Sequence, residues 1–379
     1  MFPGRGAGSD YRSVVIAVAP DCATDQVAFL KRRRRGDGLA RNAGGGRPTI
    51  VDVAAEAGVS PMTVSRVINR RPGVGPDARA AVAAAIQALG YTPNVAARSL
   101  VTSAELRIGV IYSNPSAAFM SDFLTGVYEE ASTRGAHLIL VKGGQGGRPP
   151  EPEALESLIA SGVSGVILAP PLGESPAVLQ ALRKARLPMA AVGAHDVEGA
   201  ICVRIDDRRA AFEMTRALID LGHRRLGFIL GNPDQAASAE RLAGFYAAVR
   251  QAEGVTTAIA QGDFSFTSGL AAAEQLLDAS PSPTAIFASN DDMAAAAVSV
   301  AHRRHLDVPG ELTVVGFDDT SAAVTLWPPL TTVHQPVRKL AAEALGLLAA
   351  QIAGLEALGE GRDRVLDHEI VVRLSTARP

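Results

Sequence analysis

A short stretch near the amino-terminal end carries hydroxyl, amide and guanidinium side chains at helical spacing. Ser60 can cap a helix whose first residue is Pro61. The apolar residues of this helix would share one face: Val64, Val67 and Ile68. The other side would then present Pro61 and Met62 together with the polar residues Ser65, Arg66 and Asn69. Such groups can hydrogen-bond to base edges or phosphates, so the segment predicts a helix that contacts nucleic acid.

The residues around this helix predict a compact all-helical module from residue 47 to residue 92. Thr49 can cap a first helix, and Gly58 permits the backbone conformation at its end. A third helix, from Asp77 to Leu89, would pack apolar residues against the first two. The predicted packing residues are Ala81, Val82, Ala85, Ile86 and Leu89. This arrangement would hold the polar helix face in a fixed orientation.

The distribution of charge indicates where a polyanion would bind. The whole chain has 37 Lys and Arg against 39 Asp and Glu, but residues 1–103 alone hold 14 against 7. Residues 1–46 are rich in Gly and basic residues and are predicted to be a flexible extension. Two interpretations stay open for this extension: a tail without function, or non-specific phosphate affinity from Lys31 to Arg35.

Beyond Leu106 the pattern becomes alternating strands and helices. Apolar β-branched runs alternate with Ala- and Leu-rich amphipathic segments. The predicted strands are 107–113, 137–141, 165–169, 189–193, 225–231, 256–260, 285–289 and 313–317. We therefore predict an α/β fold with two doubly wound lobes of parallel sheet. A ligand would bind in the cleft between the lobes, at the carboxyl ends of the strands.

Several motifs together resemble the lactose/galactose repressor (LacI/GalR) family. In the predicted helical module they are 49–54 (TIVDVA), 57–60 (AGVS), 63–69 (TVSRVIN) and 89–94 (LGYTPN). Farther along they are 108–110 (IGV), 221–228 (LGHRRLGF), 290–294 (NDDMA) and 314–319 (VVGFDD). The resemblance implies a helix-turn-helix head followed by a sensor domain, residues 105–379, that is similar to periplasmic sugar-binding proteins.

The resemblance also implies how the head would bind DNA. The helix from Ser60 would enter the major groove of a pseudo-palindromic operator, each half bound by one subunit of a homodimer. The candidate DNA-binding residues are Thr49, Ser60, Pro61, Met62, Thr63, Ser65, Arg66 and Asn69. The alternatives are a solvated surface position for Arg66 and a gap-filling role for Met62. Gly75 stands where the family usually has a hydroxyl cap for the third helix.

Residues 93–104 are expected to be a hinge. In the resembling family this segment orders on DNA and inserts a leucine into the minor groove. The matching residues here are Asn94, Ala97 and Leu100. The alternative is a plain linker.

The resemblance further implies a small-molecule effector, expected to be a carbohydrate. Carboxylates, amides and a guanidinium can replace the water that surrounds a polyol, and an aromatic ring can cover its apolar face. The candidate effector-binding residues are Phe119, Arg241, Asp291 and Asp318, with Asn290 and Trp327 as secondary candidates. Asn290 could instead order its loop, and Trp327 could be a core residue. Gly193 replaces an acidic contact of some relatives, and His195 or Asp196 could substitute for it.

Two other classes of protein share parts of this pattern. A two-lobed solute-binding protein would share the predicted sensor fold, but it would need an export signal and no DNA-reading head. An enzyme on doubly wound sheets would need a nucleotide-binding or nucleophile motif, and no such motif occurs in a suitable context. We expect no cofactor and no metal site.

Composition predicts the compartment. The sequence has no apolar run long enough to span a membrane, and its two cysteines, Cys22 and Cys202, form no disulfide framework. We therefore expect a cytoplasmic protein without membrane contact. The resemblance also implies that the effector controls its operator affinity.

Overall fold

The computed structural model describes residues 49–68, 74–89, 106–355 and 362–379. The chain divides into two compact units, Met1–Asn94 and Val95–Pro379. The predicted domain boundaries after residues 46, 92 and 104 all lie outside the described residues, so they stay predictions.

The described part of the first unit contains three helices: α1 (Ile50–Glu56), α2 (Pro61–Ile68) and α3 (Pro76–Leu89). Thr49 and Asp52 form a reciprocal capping box, in which the Thr49 hydroxyl accepts from the Asp52 amide and the Asp52 carboxylate accepts from the Thr49 amide. This hydrogen bonding lowers the pKa of Asp52. Gly58 has a φ of 65°, which explains a glycine at the turn before α2.

The helices enclose a small core, which confirms the predicted packing of Val82, Ala85, Ile86 and Leu89; the predicted Ala81 is not a member of this core. Its buried members are Val53, Ala54, Val64, Val82 and Ala85. Helix α3 begins at Pro76, one residue earlier than predicted, because proline fits the first turn of a helix.

The described part of the second unit alternates strands and helices throughout. In chain order they are β1 (Arg107–Tyr112), α4 (Ala117–Arg134), β2 (His137–Lys142), α5 (Pro152–Ala160), β3 (Gly165–Leu168), α6 (Pro176–Lys184), β4 (Met189–Val192), β5 (Ala200–Ile205), α7 (Asp207–Asp220), β6 (Arg225–Leu230), α8 (Ala236–Val249), β7 (Thr256–Gln261), α9 (Phe266–Leu277), β8 (Ala285–Ala288), α10 (Asp291–Arg303), β9 (Thr313–Val315), α11 (Ser321–Thr325), β10 (Thr332–His334), α12 (Val337–Ile352), β11 (Asp363–Leu366) and β12 (Glu369–Val371). Short 3-10 turns lie at Gln145–Gly147 and Leu172–Glu174.

Two parallel sheets define two lobes. The first lobe has six strands in the order β11-β5-β4-β3-β1-β2, and the second has four in the order β7-β6-β8-β9. All pairings within both sheets are parallel. The central strands β3, β4 and β8 are buried along their whole length, as expected for sheets covered on both faces.

The chain passes between the lobes three times. It crosses from β5 to α7, returns from β10 to α12, and crosses again from β11 to β12, which pairs with β10. Multiple crossings of this kind let two lobes move about shared connections. Among the described residues, no helix is both long enough and apolar enough to cross a lipid bilayer.

Candidate ligand cleft and DNA-reading helix

Helix α2 begins with a side-chain cap, as predicted. The Ser60 hydroxyl accepts from the Thr63 amide at 3.1 Å, and the two hydroxyl oxygens of Ser60 and Thr63 lie 2.9 Å apart. Both hydroxyls therefore help to begin the helix. Pro61, Met62 and Arg66 are exposed, and Met62 is 68% exposed.

Met62 therefore does not fill a gap in the described core of the head. Thr49 acts in the capping box of α1. The side chain of Ser65 and the predicted sites Asn69, Asn94, Ala97 and Leu100 lie outside what the structure describes.

A cavity lies between the two lobes of the second unit. Its polar lining combines acids, one arginine, amides and a hydroxyl: Asn114, Ser116, Asp207, Gln235, Arg241, Asn290, Asp318 and Gln335. Its apolar lining is Phe119, Pro170, Val192, Gly193, Ile205, Ala237, Phe264 and Leu340. A cavity that combines apolar walls with converging polar groups is typical of a small-molecule site.

Arg241 is the only cation among the residues that line this cavity. It lies in the second turn of α8. Its Nε donates a hydrogen bond to Asp207 at 2.8 Å, and its Nη1 donates one to the Ser289 carbonyl. Nη1 also lies 3.8 Å from the carboxylate of Asp318. The guanidinium carbon lies 3.5 Å from the centre of the Phe317 ring. These contacts fix the guanidinium in place, which suits it to bind a ligand without rearrangement.

Asp318 follows β9 in a positive-φ conformation, at 109°. Gln335, on the segment that returns to the first lobe, donates to its Oδ1 at 2.5 Å. Burial raises the pKa of Asp318 well above its ordinary value; Arg241 opposes that rise and Asp291 adds to it. A strained, buried acid that faces a cavity is characteristic of a binding site.

The structure places Asp291 outside the cavity, although the sequence suggested an effector contact. Its carboxylate accepts from the Thr320 amide at 2.8 Å and from the Thr332 hydroxyl at 2.6 Å. Burial raises its pKa to about 7, while these hydrogen bonds oppose the rise. Asp291 therefore ties α10 to the loops after β9 and before β10.

The remaining predicted sites divide between cavity and surface. Phe119, in the first turn of α4, forms an apolar wall of the cavity. Asn290 borders the cavity, but its side chain caps α10 through Met293 and donates to the Phe264 carbonyl, so it orders its loop as well. Trp327 does not line the cavity and is not a core residue, because it is 72% exposed.

Sequence reasoning missed six polar or aromatic lining residues: Asn114, Ser116, Asp207, Gln235, Phe264 and Gln335. Asp207 and Gln335 stand on two of the segments that cross between the lobes. Phe264 follows β7 with a φ of 71°. The strand-end rule could have found Asn114 and Phe264, because each lies just beyond a strand.

Gly193 lines the cavity with a φ of 72°, and neither His195 nor Asp196 lines it. No acidic side chain of the loop after β4 therefore replaces the contact that Gly193 lacks. Among the described residues, the structure shows no group of three or more His, Cys, Asp and Glu suited to a metal ion.

Comparison with known families gives two matches. Residues 49–94 match the model of bacterial regulatory proteins of the lacI family. Residues 215–376 match a periplasmic binding protein-like domain. The first match contains helices α1 to α3, and the second contains Arg241, Asp318 and Gln335.

Relatives match most of the chain. The HTH-type transcriptional regulator CelR of Thermobifida fusca is 37% identical over 81% of this chain and 93% of its own length. Catabolite control protein A of Priestia megaterium is 33% identical over 79% and 91%. The repressor CytR of Escherichia coli K12 is 33% identical over 86% and 96%.

Solved structures agree with these sequence matches. A CelR–cellobiose complex superposes with a TM-score of 0.64 at 33% identity and covers 87% of this chain and 100% of its own. A lac repressor dimer bound to operator and an anti-inducer gives 0.66 at 28% identity, with 88% and 100% covered. The helix-turn-helix head, the two parallel-sheet lobes and relatives that match nearly their full length lead to one conclusion: this chain belongs to the lacI family of DNA-binding transcriptional regulators.

Proposed function

We propose that this chain is a homodimeric repressor that binds a pseudo-palindromic operator and is controlled by a neutral polyhydroxyl compound, such as a sugar, in the interlobe cavity. The observation that carries the proposal is the polar lining of that cavity, in which one fixed guanidinium, two acids and several amides converge between aromatic walls. CelR, a relative, has been solved with cellobiose.

The charges of the cavity favour a neutral ligand. Arg241 is already neutralised by Asp207, and Asp318 is a second acid near the same guanidinium. An anionic ligand would find no cation free of a carboxylate partner among these lining residues, and it would be repelled by the acids. Hydroxyl groups can donate to a carboxylate and accept from an amide, so they match this lining without an added charge.

Individual roles follow from position. Arg241 and Asp318 would bind adjacent ligand hydroxyls, Asn114 and Gln235 would bind from opposite lobes, and Phe264 would cover an apolar ring face. The Nε2 of Gln235 has no hydrogen-bond partner, although the residue is only 5% exposed. Because an unpaired buried donor is costly, a ligand oxygen is the expected partner.

Helix α2 is the proposed DNA-reading element. Arg66 would contact a base edge or phosphate, and Met62 would make an apolar contact in the major groove. Pro61 has no amide donor, so it would contribute shape or apolar contact. The hinge at residues 93–104, with Asn94, Ala97 and Leu100, is proposed to order on the minor groove.

A second copy of the chain is the proposed occupant of an exposed surface on the second lobe. Trp327 and Leu326 border a depression there with Val298 and His302 of α10. Val324 and Trp327 are more than half exposed. Large aromatic side chains are enriched in homodimer interfaces, and the lac repressor neighbour is a dimer on its operator.

The alternative of a solute-binding protein without a regulatory role explains only the second unit. The capped helices of the head would have no purpose in such a protein. We propose no catalytic activity, since the named relatives are regulators. We also propose a cytoplasmic location, where the protein would meet the operator.

Selection from random DNA duplexes tests the proposed function. Purified full-length protein should enrich a two-fold symmetric sequence, because a symmetric dimer binds two equivalent half-sites. No sequence preference at any salt concentration would contradict the repressor function and would leave the second unit as a stand-alone binding domain.

A further inference from the structure

The amino-terminal end of α8 is capped by the opposite lobe. The N-cap residue of α8 is Gln235, and its side chain makes no capping hydrogen bond. Instead, Oε2 of Glu174, in the 3-10 turn of the first lobe, accepts from the amide of Ala236 at 3.0 Å. Helix amino termini leave several amides unpaired and attract negative charge, so a carboxylate is well suited to this place.

The same carboxylate also contacts its own lobe. Glu174 lies near the backbone amide of His195, in the loop that follows cavity residue Gly193, and that amide favours the charged carboxylate. Burial raises the pKa of Glu174, while the amides of Ala236 and His195 and the His195 ring act in the opposite direction. Glu174 therefore connects a first-lobe loop to the helix that carries Gln235, Ala237 and Arg241 into the cavity.

A second contact closes another part of the cleft. Ser116 caps α4 of the first lobe, and its hydroxyl lies close enough to Asp292, in the first turn of α10 of the second lobe, to affect the pKa of that acid. Burial raises the pKa of Asp292, and the Ser116 hydroxyl lowers it. Both contacts lie at helix amino termini that face each other across the cleft. The N-cap residues at these places, Gln235 of α8 and Ser116 of α4, also line the cavity.

We propose that Glu174 is a positioning residue for the effector site, because it caps α8 from the other lobe only while the lobes are closed. The functional meaning of this cap rests on the proposed ligand control. Opening the cleft would leave the Ala236 amide without its acceptor, so closure and the placement of Gln235 and Arg241 would be coupled. Glu174 would thus set ligand affinity without touching the ligand.

Hydrogen exchange of the ligand-free, full-length protein tests the proposal. In Glu174→Ala, amides at the start of α8 should exchange about tenfold faster, which corresponds to about 1.4 kcal/mol. Amides in the first turn of α4, at the second contact, should also exchange faster, whereas those in the buried strand β6 should not change. Glu174→Gln keeps an acceptor oxygen and should retain most of the protection, which guards against a variant that merely folds poorly.

The matched control is Glu156→Ala, because Glu156 is an exposed acid of the first lobe on α5. Exchange in Glu174→Ala that equals this control would overturn the proposal. Faster exchange across all of the second lobe, β6 included, would also overturn it, since it would show a role in folding alone. The experiment uses neither operator nor effector, so its result stays separate from a failure of the proposed function.

Discussion

Two buried side chains of α8 and its cap, Gln235 and Ser238, each have a polar atom without a hydrogen-bond partner. Only Gln235 lines the cavity. If the ligand supplies the missing acceptor, substitution of Gln235 should weaken ligand binding and substitution of Ser238 should not.

Gln235→Leu should weaken binding of a sugar effector about tenfold, the loss expected for one hydrogen bond in a buried site. Ser238→Ala is the matched control and should bind as the unmodified protein does. Calorimetric titration of both variants with the sugar found by ligand screening measures the difference. Equal sugar affinities of the two variants would show that Gln235 does not bind the ligand.

Asp291 predicts a pH dependence of stability. Its pKa is about 7 in the folded protein against an ordinary value of 3.8, so the folded state holds a proton that the unfolded state releases over this interval. The contribution of Asp291 to the free energy of unfolding should therefore fall as pH rises from about 4 to about 7. Asp318 adds a contribution of the same sign, because its pKa is also raised.

Asp291→Asn should make this slope shallower, as measured by urea unfolding at several pH values. The exposed residue Asp196 provides the control substitution Asp196→Asn, which should leave the slope unchanged. An identical slope in Asp291→Asn and the unmodified protein would contradict the assignment of the proton to Asp291.

At the scale of elements, most helices and strands could be predicted because local signals specify them. The Ser60 cap, the Thr49 cap and the apolar period of α3 were all visible in the sequence. Strand β5 was missed, although its residues 200–205 are apolar or β-branched except for Arg204, because the short span after β4 gives no helix to mark a new βαβ unit. Strands β10 to β12 are short and depend on pairing between distant parts of the chain.

The effector site was only partly predictable, because it too depends on contacts between distant parts of the chain. Arg241, Asp318 and Phe119 follow from family motifs and strand ends. Asp207 and Gln335 enter the site on crossing segments, so their role depends on how the two lobes face each other. Asp291 was assigned to the site from its family motif and its place after β8, yet its carboxylate turns toward Thr320 and Thr332.

Helix α2 carries the prediction that belongs to this scale. Arg66→Ala should weaken operator binding by about 1–3 kcal/mol. If binding weakens equally for all DNA sequences and becomes less dependent on salt, Arg66 contacts a phosphate and not a base edge. Arg250→Ala removes the same charge from an exposed position after α8 and should have little effect. Fluorescence anisotropy of the selected duplex at several salt concentrations measures both. Equal affinity of the two variants would exclude Arg66 from the DNA interface.

At the scale of the whole molecule, regulation requires that ligand binding in the cavity change DNA binding by the head. Three crossing segments connect the lobes, and two of them carry cavity residues, so a bound ligand would bias the relation between the lobes. The size of the effect is limited by the difference in ligand affinity between the two states. In a homodimer, both subunits would respond to the same change.

The most direct test of the central claim is titration of the selected operator with full-length protein at fixed salt, with and without each member of a panel of neutral sugars. We predict that one compound changes the operator dissociation constant at least fivefold, within the usual range of allosteric coupling. Arg241→Lys, which retains the charge but not the guanidinium fork, should abolish that change while operator binding without sugar persists. Operator affinity that stays constant although a sugar binds the protein would contradict ligand control of this regulator.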